Sequence, residues 1–145
     1  MASNTSPSAS PDLGVLLRDR IAVVTGGSRG IGAGIAAALV RAGAQVVISG
    51  RNVAALEKTA AEIGATPVSA DASSIESACE PVRQAIEQFG GIDILVNNVG
   101  GSAGGNPNLF AGDAGTDDGF EANLRLNLTA AYWPTKAAVH SMRER

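Results

Sequence analysis

Residues 21–32 read Ile-Ala-Val-Val-Thr-Gly-Gly-Ser-Arg-Gly-Ile-Gly, a β-branched run that passes through a glycine turn into an Ala-rich stretch. Strand, turn and helix start in that order make a cradle for a phosphate. Gly26 turns the chain, Gly30 and Gly32 leave out side chains where an anion approaches backbone, and the first N–H groups of the helix face it. The glycines fall as Gly-x-x-x-Gly-x-Gly, and Gly32-x-Gly34-x-x-Ala37 fits the pattern Gly-x-Gly-x-x-Gly/Ala only in a register already inside the helix. A dinucleotide without a 2′-phosphate is gripped by an acidic residue about 20 positions beyond such a turn. Residues 21–56 contain no Asp or Glu, and 49–52 read Ser-Gly-Arg-Asn. Arg51, with Arg29 inside the turn, offers charge-assisted hydrogen bonds to a 2′-phosphate, which favours NADP(H) over NAD(H). Arg41, farther along the helix, reads as solvated.

Four further residues carry amide or carboxylate chemistry. Asp71 follows a short apolar run, where it accepts a hydrogen bond from an adenine amino group or caps the next helix. Asn97 and Asn98 end another such run, where side chains reach the crevice at the carboxyl edge of a sheet or form a turn. Asn127 lies among Leu124, Leu128 and Ala131 on an apolar helical face, so its amide is expected to be buried and to need partners.

These segments resemble the short-chain dehydrogenases/reductases. That family's fingerprint Thr-Gly-x-x-x-Gly-Ile-Gly is matched at Thr25, Gly26, Gly30, Ile31 and Gly32. Asp71 stands where the family has an adenine-contacting Asp, and Asn97-Asn98-Val99-Gly100 looks like its Asn-Asn-Ala-Gly with Val for Ala. Leu126-Asn127-Leu128 is similar to the segment bearing its catalytic Asn, which holds a water in a proton relay. The resemblance implies a cofactor-binding set of Gly26, Ser28, Arg29, Gly30, Ile31 and Gly32 in the turn, then Arg51, then Asp71 with Ala72, then Asn98, Val99 and Gly100. It implies hydride transfer between a nicotinamide and a small-molecule carbonyl or alcohol, with a Tyr acid/base tuned by a Lys and aided by a Ser. It also implies a homo-oligomer formed through the last helix.

The family places that Ser and the Tyr-x-x-x-Lys pair beyond the Asn-bearing helix, and the sequence stops at Arg145. The chain is therefore expected to be a truncated, cofactor-binding part; the alternative is a non-catalytic nucleotide-binding or protein-interaction module. Tyr132-Trp-Pro-Thr-Lys136 matches Tyr-x-x-x-Lys by letters, but it follows Asn127 by five residues on one helix with Pro134 inside it, which argues against catalysis. His140, near the charged end, reads as exposed.

The elements that must position these residues alternate in the manner of parallel βαβ units. Strands are expected at 21–25, 45–49, 66–70 and 92–97, each short, apolar and covered on both faces. Helical stripes are read at Ile31, Ile35, Leu39 and Ala42; at Val53, Leu56, Ala60 and Ile63; and at Ile75, Ala78, Val82, Ile86 and Phe89, with Ser73 or Ser74 as the last one's N-cap. The expected fold is α/β, a Rossmann-like doubly wound parallel sheet of about four strands, incomplete, with the fourth strand left as an edge. Residues 100–119 carry seven glycines and read as a long loop; a final helix follows, with part of its apolar face uncovered and Pro134 as a kink.

Composition limits the alternatives. The 145 residues allow about one domain, here 13–145, after a tail over 1–12 with four Ser and two Pro that reads as disordered. A net charge of −3 without a basic run argues against nucleic acid or an anionic lipid surface. No apolar stretch approaches a membrane span, and no leader pattern opens the chain, so a cytoplasmic location is expected. The single Cys79 lacks ligand neighbours, and no metal site is expected.

Overall fold

The computed structural model describes residues 15–102 and 117–145. The expected tail and most of the expected 100–119 loop lie outside the described residues. The elements are β1 (Ile21–Val24), α1 (Gly30–Arg41), β2 (Gln45–Gly50), α2 (Val53–Ile63), β3 (Thr66–Ser69), α3 (Ile75–Phe89), β4 (Ile94–Val96), α4 (Asp117–Leu124), a π-turn (Arg125–Thr129) and α5 (Ala130–Glu144).

The four strands form one parallel sheet in the order β3-β2-β1-β4. From β1 the chain winds outward to β3, then returns to lay β4 on the other side of β1. The place where the direction reverses opens a crevice at the carboxyl ends of β1 and β4. Among the described residues β4 pairs only with β1 and is an edge.

Apolar residues on both pleats explain why β1 and β2 are covered on both faces; β3, expected to be covered likewise, buries Val68 but leaves Pro67 and Ser69, whose pleat is partly polar, exposed, and β4 is half-buried. Ile21 and Val23 join Val47, Val68, Val82, Ala85, Ile92 and Ala138 in one core, against α3 and α5. The alternate residues Ala22 and Val24 join Val46, Ile48, Ala36, Leu56 and Ala60 in the other, against α1 and α2. Successive strand side chains leave on opposite faces, so a continuous β-branched run feeds two cores at once.

The helix boundaries follow their caps. Asn52 Oδ1 accepts the Ala55 N–H at 3.0 Å to start α2, and left-handed glycines, Gly64 and Gly90, end α2 and α3. Ser74 is the N-cap residue of α3 but makes no side-chain cap bond; Ser73 instead bonds to Asp71. Pro81 lies buried inside α3.

The helical stripes need correction at their first residues. Ile31 is 78% exposed, and the face α1 buries carries Gly32 and Ala36. Val53 and Ile75 are likewise exposed. In the last helical stretch the departure from α-helical bonding is the π-turn, one turn before a fully buried Pro134 that lies within α5 without ending it. Phe120, Leu124, Leu128, Tyr132 and Val139 are exposed, so much of the expected apolar face is uncovered. No helix among the described residues is long and apolar enough to cross a membrane.

Opposite the crevice, the end of α5 is tied down by one carboxylate. Asp93, whose side chain is 7% exposed, accepts from Arg20 Nη1 at 2.8 Å, from the Ile21 N–H at 2.8 Å and from Arg145 Nε at 3.1 Å. Ser141 Oγ accepts the Ile92 N–H at 3.2 Å beside it. Burial alone would push the Asp93 carboxyl up, but the hydrogen bonds from Arg145, Ile21 and Arg20 outweigh it and hold it at about 2.

Candidate functional site

The glycine turn is fixed from three sides. Thr25, buried at the end of β1, accepts the N–H groups of Asn98 and Val99 on its Oγ1 at 3.0 and 3.2 Å. Asn98 Nδ2 donates back to the carbonyls of Thr25 and Gly26 at 3.0 and 3.1 Å. The Asn98 amide nitrogen is thus committed to clamping the turn. A Cβ at Gly32 would lie 2.2 Å from the Gly26 carbonyl oxygen and 2.5 Å from Asn98 Nδ2, so only glycine lets α1 start this close to β1. Gly30 has nothing within 4 Å of a built Cβ; its φ of +57° sets the requirement instead, and the space above it is open.

An open cavity of about 510 Å³ lies over this turn, in the range of small-molecule sites. All twelve residues expected to meet the cofactor, from Gly26 to Gly100, line it. Arg29 and Arg51 are exposed on its wall and, among the described residues, make no hydrogen bond or ion pair through their guanidinium groups. Ile31, exposed to solvent, is a wall of this cavity and not part of the core.

Asp71 does not cap α3, whose N-cap residue is Ser74; it makes a local turn at the edge of the cavity. Its Oδ1 accepts the backbone N–H and the hydroxyl of Ser73 at 3.0 and 2.8 Å, a local turn, while its own N–H donates to Ser77 Oγ at 2.8 Å. The residue also lines the cavity. The two Ser73 hydrogen bonds, with a smaller contribution from the charge of Arg51, hold its carboxyl below the usual range against a modest burial cost.

Asn127 departs from expectation. It is exposed, because Leu124 and Leu128 beside it are themselves exposed, the latter by 64%. Its amide is nevertheless partnered: Oδ1 accepts the Gly101 N–H at 3.0 Å, and Nδ2 donates to the carbonyls of Gly101 and Asn123 at 2.9 Å each. It pins the segment after β4 to the π-turn, at the rim of the cavity. Asn97 is turned away to α5, donating to Thr135 Oγ1 at 2.9 Å.

Five apolar lining residues were not expected at the site: Ala70, Ala78 and, on the last helical stretch, Leu126, Ala130 and Pro134. The spacing of four from Leu126 to Pro134 along one helical stretch is the signal that would have found the last three. Tyr132 and Lys136 are not among the lining residues. Tyr132 meets the Trp133 ring edge-on at 5.0 Å, and Lys136 Nζ lies 5.4 Å from the same ring. His140 is exposed beside Glu144 at 3.2 Å. Cys79 is half-buried, which pushes its thiol up, and no cluster among the described residues suits a metal ion.

The family model described as short chain dehydrogenase matches residues 20–145. An uncharacterized oxidoreductase of Mycobacterium tuberculosis is 40% identical over 133 residues, covering 88% of this chain and 49% of its own. L-fucose dehydrogenase of Bos taurus is 35% identical over 133 residues, covering 91% and 48%. Among solved structures, a Pseudomonas aeruginosa RhlG/NADP active-site complex superposes with a TM-score of 0.79 at 34% identity, covering 94% of this chain and 52% of that one. A blue fluorescent protein from a metagenomic library in complex with NADPH gives 0.77 at 31%, covering 88% and 53%. The chain spans about half the length of the curated relatives it matches.

Proposed function

Since the chain belongs to the short-chain dehydrogenase family, we propose that residues 13–145 form the dinucleotide-binding part of an oxidoreductase that takes NADP(H) in preference to NAD(H). One observation carries the reading: two guanidinium groups, Arg29 and Arg51, stand on the wall of the cavity that the glycine turn opens, without a hydrogen bond or ion pair among the described residues. Arginines beside backbone N–H groups at a helix start are suited to phosphate. When bound, the cofactor supplies or accepts a hydride, and the whole protein would act on a small-molecule carbonyl or alcohol. Asp71 and Ala72 would border the adenine and Val99 and Gly100 the nicotinamide side, since they lie on opposite sides of the turn in the strand order. Asn127, through Gly101, would fix the rim where the substrate enters. The two compared structures whose descriptions name NADP or NADPH support this assignment by likeness.

The test is Arg51→Ala. Loss of a charge-assisted hydrogen bond to a 2′-phosphate should weaken NADPH by about 1.5 kcal/mol, roughly tenfold, and NADH much less. Fluorescence titration of both nucleotides decides it, and equal weakening would remove the 2′-phosphate assignment.

The exposed row from Phe120 through Leu128 to Val139 supports self-association through the last helical stretch. Leu128→Glu should lower the mass measured by sedimentation toward that of a monomer; an unchanged mass would point to another interface.

A further inference from the structure

The glycine turn is also held from the far side of the sheet edge, by α2. Thr59 Oγ1 donates to the Ser28 carbonyl at 2.8 Å across a separation of 31 residues. A threonine within a helix ordinarily returns its hydroxyl to a carbonyl of the preceding turn. Thr59 spends its hydroxyl on the cavity turn instead.

A trans peptide is planar, so its carbonyl and N–H point in opposite directions. With the Ser28 carbonyl fixed on α2, the N–H of Arg29 is turned away from α2. Arg29 is extended, with φ −168° and ψ 172°, and its N–H has no partner among the described residues. The opposite orientation of this peptide would aim a carbonyl oxygen where the N–H now points, and a carbonyl repels a phosphate.

The residues just before this peptide sit against the end of β2. The Gly27 N–H donates to the Ser49 carbonyl at 2.8 Å, and a Cβ at Gly50 would lie 3.1 Å from Ser28 Oγ. Gly50 precedes Arg51, so the oriented peptide and both guanidinium groups belong to one side of the cavity, ahead of the N–H groups that open α1.

We infer that Thr59 is a positioning residue for the 2′-phosphate subsite: its hydroxyl sets the Ser28–Arg29 peptide so that the Arg29 N–H and guanidinium act with Arg51 on one phosphate monoester. The inference rests on the NADP(H) reading above. Thr59→Val keeps the shape and removes the hydroxyl. In the 145-residue chain it should weaken NADPH about fivefold while changing NADH less than twofold, and Thr59→Ser should restore the wild-type ratio. A general loosening of the fold would not move that ratio. Unchanged NADPH affinity, or equal loss of both nucleotides, would overturn the inference alone. A wild-type chain that binds neither NADPH nor NADH overturns the cofactor reading together with it.

Discussion

Gly32→Ala is expected to destabilise the fold by on the order of 3 kcal/mol and to abolish nucleotide binding, although alanine is the better helix former. The added methyl would meet the Gly26 carbonyl at 2.2 Å and the Asn98 amide at 2.5 Å, both parts of the interlocked turn and neither the free end of a flexible chain. Relief requires α1 to withdraw from β1, which separates the helix start from the turn that works with it. Gly34→Ala, two residues on in the same helix, meets nothing within 4 Å and should gain about 0.5–1 kcal/mol from helix propensity. Thermal unfolding of the pair reads the contrast. A fall of roughly 10 °C for the first and a small rise for the second is expected for a chain of this size. Equal midpoints would mean that the start of α1 is free to move and that the close approach has no energetic role.

The second large effect belongs to Asp93. Asp93→Asn keeps the volume but replaces one acceptor oxygen by a donor facing Arg20, Arg145 and the Ile21 N–H. Breaking a buried ion pair costs about 3–5 kcal/mol; Arg20 and Arg145 retain some solvent contact, so about 2–3 kcal/mol is expected in urea unfolding at neutral pH. The pH dependence has a definite sign. The folded carboxyl sits at about 2 against an ordinary 3.8, so its contribution is fully present above pH 4 and is lost as the pH falls from there toward 2. The wild-type protein should lose on the order of 2 kcal/mol from this group across that window, and the Asn variant should lack that share of the slope. Parallel pH profiles would show that the two arginines do not stabilise the charged form.

The strands and the cavity turn were legible because their signals are local. Residues 21–24 and 45–50 are apolar on both pleats, which has few solutions other than a covered parallel strand. What escaped was whatever depends on a neighbour distant in sequence. Ile31 fits a helical stripe, yet periodicity reports apolarity and does not distinguish a core from a cavity wall. Asn127 was expected to be buried because Leu124 and Leu128 flank it; those leucines are exposed, so the face they define is not the packed one. The packed residues of that stretch include Ala130, Pro134 and Ala138. Thr59 reads as an ordinary polar helix position until Ser28 is placed beside it. Asp93 looks like part of a strand, and two of its partners lie 73 and 52 residues away.

The π-turn at Arg125–Thr129 spends more residues on one turn than an α-helix does. Deleting a single residue there would turn the π-turn into a regular α-helical turn, so the change of length is absorbed locally and the helix downstream keeps its facing. Pro134 and Ala138 would stay in the interior and Arg145 would stay aligned with Asp93. The same deletion within α5 has no extra residue to give up and would rotate everything after it by about 100°, so the stretch tolerates the loss of a residue at the π-turn far more readily than one turn further on.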